Sequence, residues 1–244
     1  MIESSEDRIM LKTGAVSAGL AVFFIAASMM SVSFVPIIPG KVAVTLQAQL
    51  VASQPWRWIL PFLMGALGYL VMLPVVLSID ALFKAKHPVL ARLGAVHGAI
   101  GVVLLLVSAF MHATVVRRAA TEMVKYGFEN YEERTKGAHL AQAIEWNMLY
   151  PSSSSYAFAV LGQSFLSVLF VCIAIAWIRE RGLKRAVAVL SVAVAVMQIA
   201  GLAGYLSMIT WLEAGNILFD LVLPFILLFL AIIFVRESRK REIP

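Results

Sequence analysis

Five stretches of this chain contain no Asp, Glu, Lys or Arg over lengths that can cross a lipid bilayer: Thr13–Gly40, Trp58–Ile79, Leu93–Val116, Trp146–Ile178 and Ala186–Leu212. A sixth, Ala214–Val235, is interrupted only by Asp220. A hydrocarbon core of about 30 Å needs about 20 apolar helical residues. The runs therefore predict six transmembrane helices, near 13–36, 57–83, 90–116, 155–178, 185–210 and 216–236. The expected fold is an all-α polytopic helical bundle, with residues 1–244 forming one integral membrane domain. Hydrophobic residues make up 61% and charged residues 14%, against about 45–50% and about 25% in a soluble domain. One water-soluble core cannot bury that excess. Continuous apolarity also excludes an outer-membrane barrel, whose strands alternate apolar and polar residues. The first run is read as a retained helix: Glu3, Glu6 and Asp7 make a poor signal-peptide start, and the run is too long for an h-region.

The basic residues set the expected orientation. Thirteen Lys and Arg fall on the side of the two termini and seven on the other, five of them in the long connection 117–154 beside five Glu. The positive-inside rule then places both termini in the cytoplasm. The formal charge of +6 reads as loop charge of this kind and not as a nucleic-acid surface. Trp56, Trp58, Trp146 and Trp211 mark the outer interface and Trp177 the inner one. The outer connections look helical. Residues 41–52 fit a short interfacial helix. The third span continues without a strong breaker to Gly127, and 138–149 forms a second amphipathic stretch. Together they predict a helical cap on the outer face.

Two segments echo each other: Gly65-Ala66-Leu67-Gly68-Tyr69-Leu70 in the second span and Gly201-Leu202-Ala203-Gly204-Tyr205-Leu206 in the fifth. These spans run in opposite directions, so the match suits an inverted three-plus-three repeat. Gly, Ala and Leu are abundant here, and chance similarity is the competing explanation.

Polar residues in hydrocarbon are costly and tend to face protein or a functional pathway. Asp220 is the sharpest. It suits a proton, a cation or an amine, or else it is held by its helix dipole or by a partner such as His112. Gln163, Tyr205 and His112 fall at comparable depth and complete a candidate ligand-binding set with Gln198. The alternative for Gln198 is an interhelical hydrogen bond. Asp80 and Lys84 fit an exposed i,i+4 pair, and His97 a histidine packed in the bundle. Ser28, Ser31, Ser164 and Ser167 add hydroxyls in the outer half.

No cofactor is expected. Histidine occurs within the bilayer only on the third span, which does not suit a haem held by two histidines across the bundle. No span carries a Lys for a Schiff base, and zinc-protease and phosphate-loop motifs are missing. Gly162-Gln163-Ser164-Phe165 resembles an intramembrane serine protease segment, but no histidine follows it as base. The lone Cys172 allows no intrachain disulfide. An enzyme is therefore the weakest expectation.

The second half resembles the bacterial six-helix membrane proteins of domain-of-unknown-function family 4386. The likeness rests on Leu161-Gly162-Gln163, the basic connection Arg179–Arg185, Gly201–Leu206, and Asp220–Phe234 with its charged tail. It covers residues 155–240. It implies a six-helix inner-membrane protein and no catalytic residue. Two functions compete. One is binding or transport of a small amphipathic or lipid-like molecule through the outer-half polar site. The other is an accessory subunit, packed against a membrane protein partner or a second copy of itself. The lipid bilayer is the partner common to both. A shared interior cavity favours the first; small-residue stripes facing lipid favour the second.

Overall fold

The computed structural model describes residues 5–32, 51–126, 154–207 and 210–240. Among these, every element is helical: α1 (Ser5–Val32), α2 (Pro55–Leu70), α3 (Met72–Phe83), α4 (Pro88–Tyr126), α5 (Ser154–Trp177), α6 (Leu183–Ser207) and α7 (Thr210–Lys240). Six stretches are long and apolar enough to span a membrane, with α2 and α3 together forming the second. The interfacial helix expected at 41–52 and most of the expected cap lie outside the described residues. The third span does project past its apolar part, because α4 continues to Tyr126.

Three boundaries differ from the sequence reading. The second span is broken at Val71. Pro74 supplies no amide to the first turn of α3, and its ring crowds the Leu70 carbonyl, so a straight helix cannot continue. The first helix starts at Ser5, about two turns before the apolar run. Glu6 and Asp7 lie in its first turn, where acidic groups favour the helix start. The last helix starts at Thr210, so Asp220 is ten residues inside it. The dipole acts over the first turn only, so it does not hold Asp220.

Each span packs on the one that follows it in sequence, and the sixth returns to pack on the first. The result is a closed ring of antiparallel helices. Its axis, toward the side of the termini, is filled by Met72, Ile79, Leu166, Phe170, Ile173, Leu223 and Phe234, all fully buried. Two ion pairs fasten that end. Lys84 Nζ reaches Asp7 Oδ1 at 2.6 Å, and Lys184 Nζ reaches Glu237 Oε1 at 3.0 Å. Lys84 thus pairs with the first helix and not with Asp80, one turn before it. Gly182 takes φ 63° in the short turn between α5 and α6, a conformation that costs glycine little.

The closest helix contact joins α4 and α5. A methyl group added at Gly101 would stand 2.7 Å from the Gly162 carbonyl oxygen and 2.8 Å from the Leu166 nitrogen. One added at Gly162 would stand 2.9 Å from the Gly101 carbonyl oxygen. Neither neighbour is a flexible side-chain end, so the backbones themselves must separate to admit it. Gly162→Ala should lower the unfolding midpoint in detergent by the equivalent of about 1–3 kcal/mol. Gly19 has open space around it, so Gly19→Ala should cost nothing. Equal losses at the two positions would refute the close-packing argument.

Candidate functional site

Polar side chains converge in the half of the bundle away from the termini. A cavity of about 190 Å³ lies among five of the six spans. Ser28 comes from α1, Tyr69 from α2, Ser108 and His112 from α4, Gln163 from α5 and Asp220 from α7. Pro61, Phe62, Leu105 and Ala159 complete much of its apolar wall. One water occupies about 30 Å³ of liquid, so the space suits a few waters, a hydrated cation or a compact polar head.

Asp220 and Gln163 form the centre. Gln163 Nε2 donates to Asp220 Oδ1 at 3.1 Å, joining α5 to α7 across the ring. Gln163 is 4% exposed and Asp220 is half-buried, so this hydrogen bond is partly shielded. Pro224 adds a second polar feature. It removes the amide that an unbroken helix would direct to the Asp220 carbonyl four residues earlier. Carboxyl and main-chain carbonyl of one residue are thus both available as acceptors at this level of α7.

The rim away from the termini is aromatic. The His112 ring stacks on Phe62 with centroids 5.2 Å apart and planes 6° from parallel. Trp58 Nε1 donates to the His112 carbonyl at 3.2 Å, and Phe62 packs against Trp58. His112 Nδ1 lies 3.1 Å from the Ser108 carbonyl. A carbonyl only accepts, so Nδ1 carries the proton and Nε2 of the neutral ring is an acceptor. His112 is therefore placed by α2 and by its own helix, and Asp220 takes its hydrogen bond from Gln163.

The other sequence candidates separate from this group. Gln198 is buried, and its Nε2 donates to the Val160 carbonyl at 3.2 Å and to Ser164 Oγ at 3.3 Å. It ties α6 to α5 as an interhelical clamp. Tyr205, half-buried on α6, is not among the lining residues. Three serines bond to their own helices: Ser31 to the Ser28 carbonyl, Ser164 to that of Val160 and Ser167 to that of Gln163. Ser28 instead donates across to the Pro61 carbonyl at 2.7 Å.

Tyr69 and Ser108 were not singled out from the sequence as site residues. A signal for Ser108 exists. Gly94, Gly98, Gly101, Leu105, Ser108 and His112 follow one another at alternating steps of four and three, which is one face of a helix. Once the glycines are known to face a neighbour, Ser108 and His112 must face inward as well. Tyr69 belongs to the first of the two similar segments, and its counterpart Tyr205 has a different setting, so the segments play unlike parts.

Among the described residues, no three His, Cys, Asp or Glu side chains gather as a metal site would require. Comparisons with protein-family models, curated proteins and solved structures return no match.

The Gln163–Asp220 hydrogen bond joins two helices at a partly buried point, so it should register in stability. Gln163→Leu removes the donor and should lower the unfolding midpoint by the equivalent of about 1–3 kcal/mol. Ser167→Ala, which removes only a hydroxyl bonded to its own helix, should stay within about 0.5 kcal/mol of the unaltered protein. A Gln163→Leu protein as stable as the Ser167→Ala protein would show that the bond carries no weight.

Proposed function

We propose that this multi-pass membrane protein binds or transports a small amphipathic, lipid-like molecule, with the molecule's polar head in the Asp220 cavity. The observation that carries this reading is the convergence of six polar side chains from five spans on one interior space. Hydrocarbon penalises each of them, and a bundle with no use for the space could fill it with apolar side chains. Asp220 and Gln163 offer the recognition chemistry: a carboxyl for a cationic or amine head, and an amide to hold that carboxyl in place. Tyr69, Ser28 and Ser108 supply hydroxyls around it.

The accessory-subunit reading relies on small-residue helix faces and on the outer cap as its interface, and most of that cap lies outside the described residues. Gly14, Gly68, Gly94, Gly98, Gly101 and Gly162 are instead spent on contacts within the bundle. That favours the binding or transport reading. The proposal places the protein in a bacterial inner membrane with both termini in the cytoplasm. It includes kinship with family 4386, which adds no activity.

The test of the site uses dodecylamine, a single-chain amphipathic amine, added to the protein in mild detergent. It should raise the thermal midpoint of the unaltered protein in a saturable way. Asp220→Asn keeps side-chain size and hydrogen bonding and removes the charge, so the response should disappear while expression and folding persist. An unchanged response in that variant would remove Asp220 from the site.

Orientation has its own test. Reporter fusions within Arg179–Arg185 and after Arg241 should both read cytoplasmic. A periplasmic signal at either point would overturn the proposed topology.

A further inference from the structure

A second cavity lies on the outside of the ring, at the end nearest the termini and distant in sequence from the Asp220 site. It is a groove of about 740 Å³ between α3 and the start of α4. That volume is within the range of small-molecule sites, about 300–1,000 Å³. Asp80, Lys84, Arg92 and His97 supply its polar lining.

The charges have a definite pattern. Lys84 ends α3 and Pro88 begins α4. Asp80 is four residues back from Lys84 and Arg92 four residues on from Pro88, so both stand about one turn into their helices from the connection that joins them. Lys84 is already paired with Asp7. Neither Asp80 nor Arg92 forms an ion pair among the described residues. The groove thus presents one uncommitted negative group beside one uncommitted positive group. His97 closes it toward the membrane. Its Nδ1 lies 2.9 Å from the Leu93 carbonyl, which leaves Nε2 of the neutral ring as an acceptor.

An apolar track continues from these charges into the hydrocarbon. Leu93, Val96 and Ile100 share one face of α4 and are exposed, and Leu77 is exposed one turn inward from Asp80 on α3. A ligand that satisfies both parts needs a cationic end, an anionic centre and an acyl chain, in that order.

We propose that this groove binds a phospholipid with an ethanolamine head, its ammonium on Asp80 and its phosphate on Arg92. A choline head carries the same charge but has no N–H to donate to the carboxylate. A glycerol head would bring no cation to Asp80 and would leave its phosphate charge uncompensated near that carboxylate. The site is independent of the Asp220 cavity and of what that cavity binds.

Native mass spectrometry of the detergent-solubilised protein with dioleoyl lipids tests it. The three lipids carry ethanolamine, choline and glycerol heads. The ethanolamine lipid should be retained about tenfold better than the choline lipid, the scale of one charge-assisted hydrogen bond. Asp80→Asn should abolish that discrimination, and Arg92→Gln should weaken retention of all three. Equal retention of ethanolamine and choline lipids by the unaltered protein would overturn the proposal. So would preference for the glycerol lipid, or discrimination that survives Asp80→Asn. If Asp80→Asn does not fold, Val96→Trp fills the groove from an exposed position and leaves every charge in place. It should lose the ethanolamine lipid, and undiminished retention would again overturn the assignment.

Discussion

At Gly101 and Gly162 the backbones of α4 and α5 approach so closely that one methyl group on either would meet main-chain atoms. Apolar side chains gain little from meeting each other in lipid, so spans associate through packing and hydrogen bonds. Small residues that admit the neighbouring backbone are therefore the means by which this bundle holds its register. The consequence for the site is direct. Ser108 and His112 continue the glycine face of α4, and Gln163 follows Gly162 on α5. Fixing that contact fixes where half of the cavity's polar groups stand.

The rest follows from how the chain disposes of polar atoms where no water is available. Most are satisfied within one helix, as with Ser31, Ser164 and Ser167. Others join helices pairwise, as with Gln198 on Val160 and Ser28 on Pro61. Prolines change this accounting. Pro74 breaks the second span, and Pro61 and Pro224 withdraw donors from the Arg57 and Asp220 carbonyls. Tolerance of helix breakers in spans depends on neighbours that satisfy the freed groups or on a cavity that lodges them. Asp220 lies at such a cavity.

The spans were legible because a run of about 20 apolar residues has few alternatives to a membrane helix. The inward placement of Asp220 followed from the cost of a charge in lipid, and Gln163 and His112 from their depth. Residues whose role depends on rotation about a helix axis were harder to place. Tyr69 and Tyr205 sit in nearly identical segments, yet only Tyr69 lines the cavity. The matching sequence leaves open which face of each helix meets which neighbour. Lys84 is a related case. Its i,i+4 relation to Asp80 was visible, but the early start of α1 brings Asp7 within reach, and that pair forms instead.

The two ends of the ring are fastened differently, and this bears on how a ligand could enter. Toward the termini, ion pairs bind the first span to the second and the fifth to the sixth. Between them the axis is packed with fully buried aliphatic and aromatic side chains. At the opposite end, among the described residues, helices are joined by hydrogen bonds: Ser28 to the Pro61 carbonyl, Trp58 to the His112 carbonyl, and Gln163 to Asp220. A cationic head that takes Asp220 replaces the last of these with a stronger charge-assisted contact and frees α5 from α7 at that level. The ring then loosens first at the end away from the termini. Loosening the other end requires opening a packed core, which costs more than one hydrogen bond. On the proposed binding or transport reading, this asymmetry favours the side opposite the termini as the route of access to the Asp220 cavity.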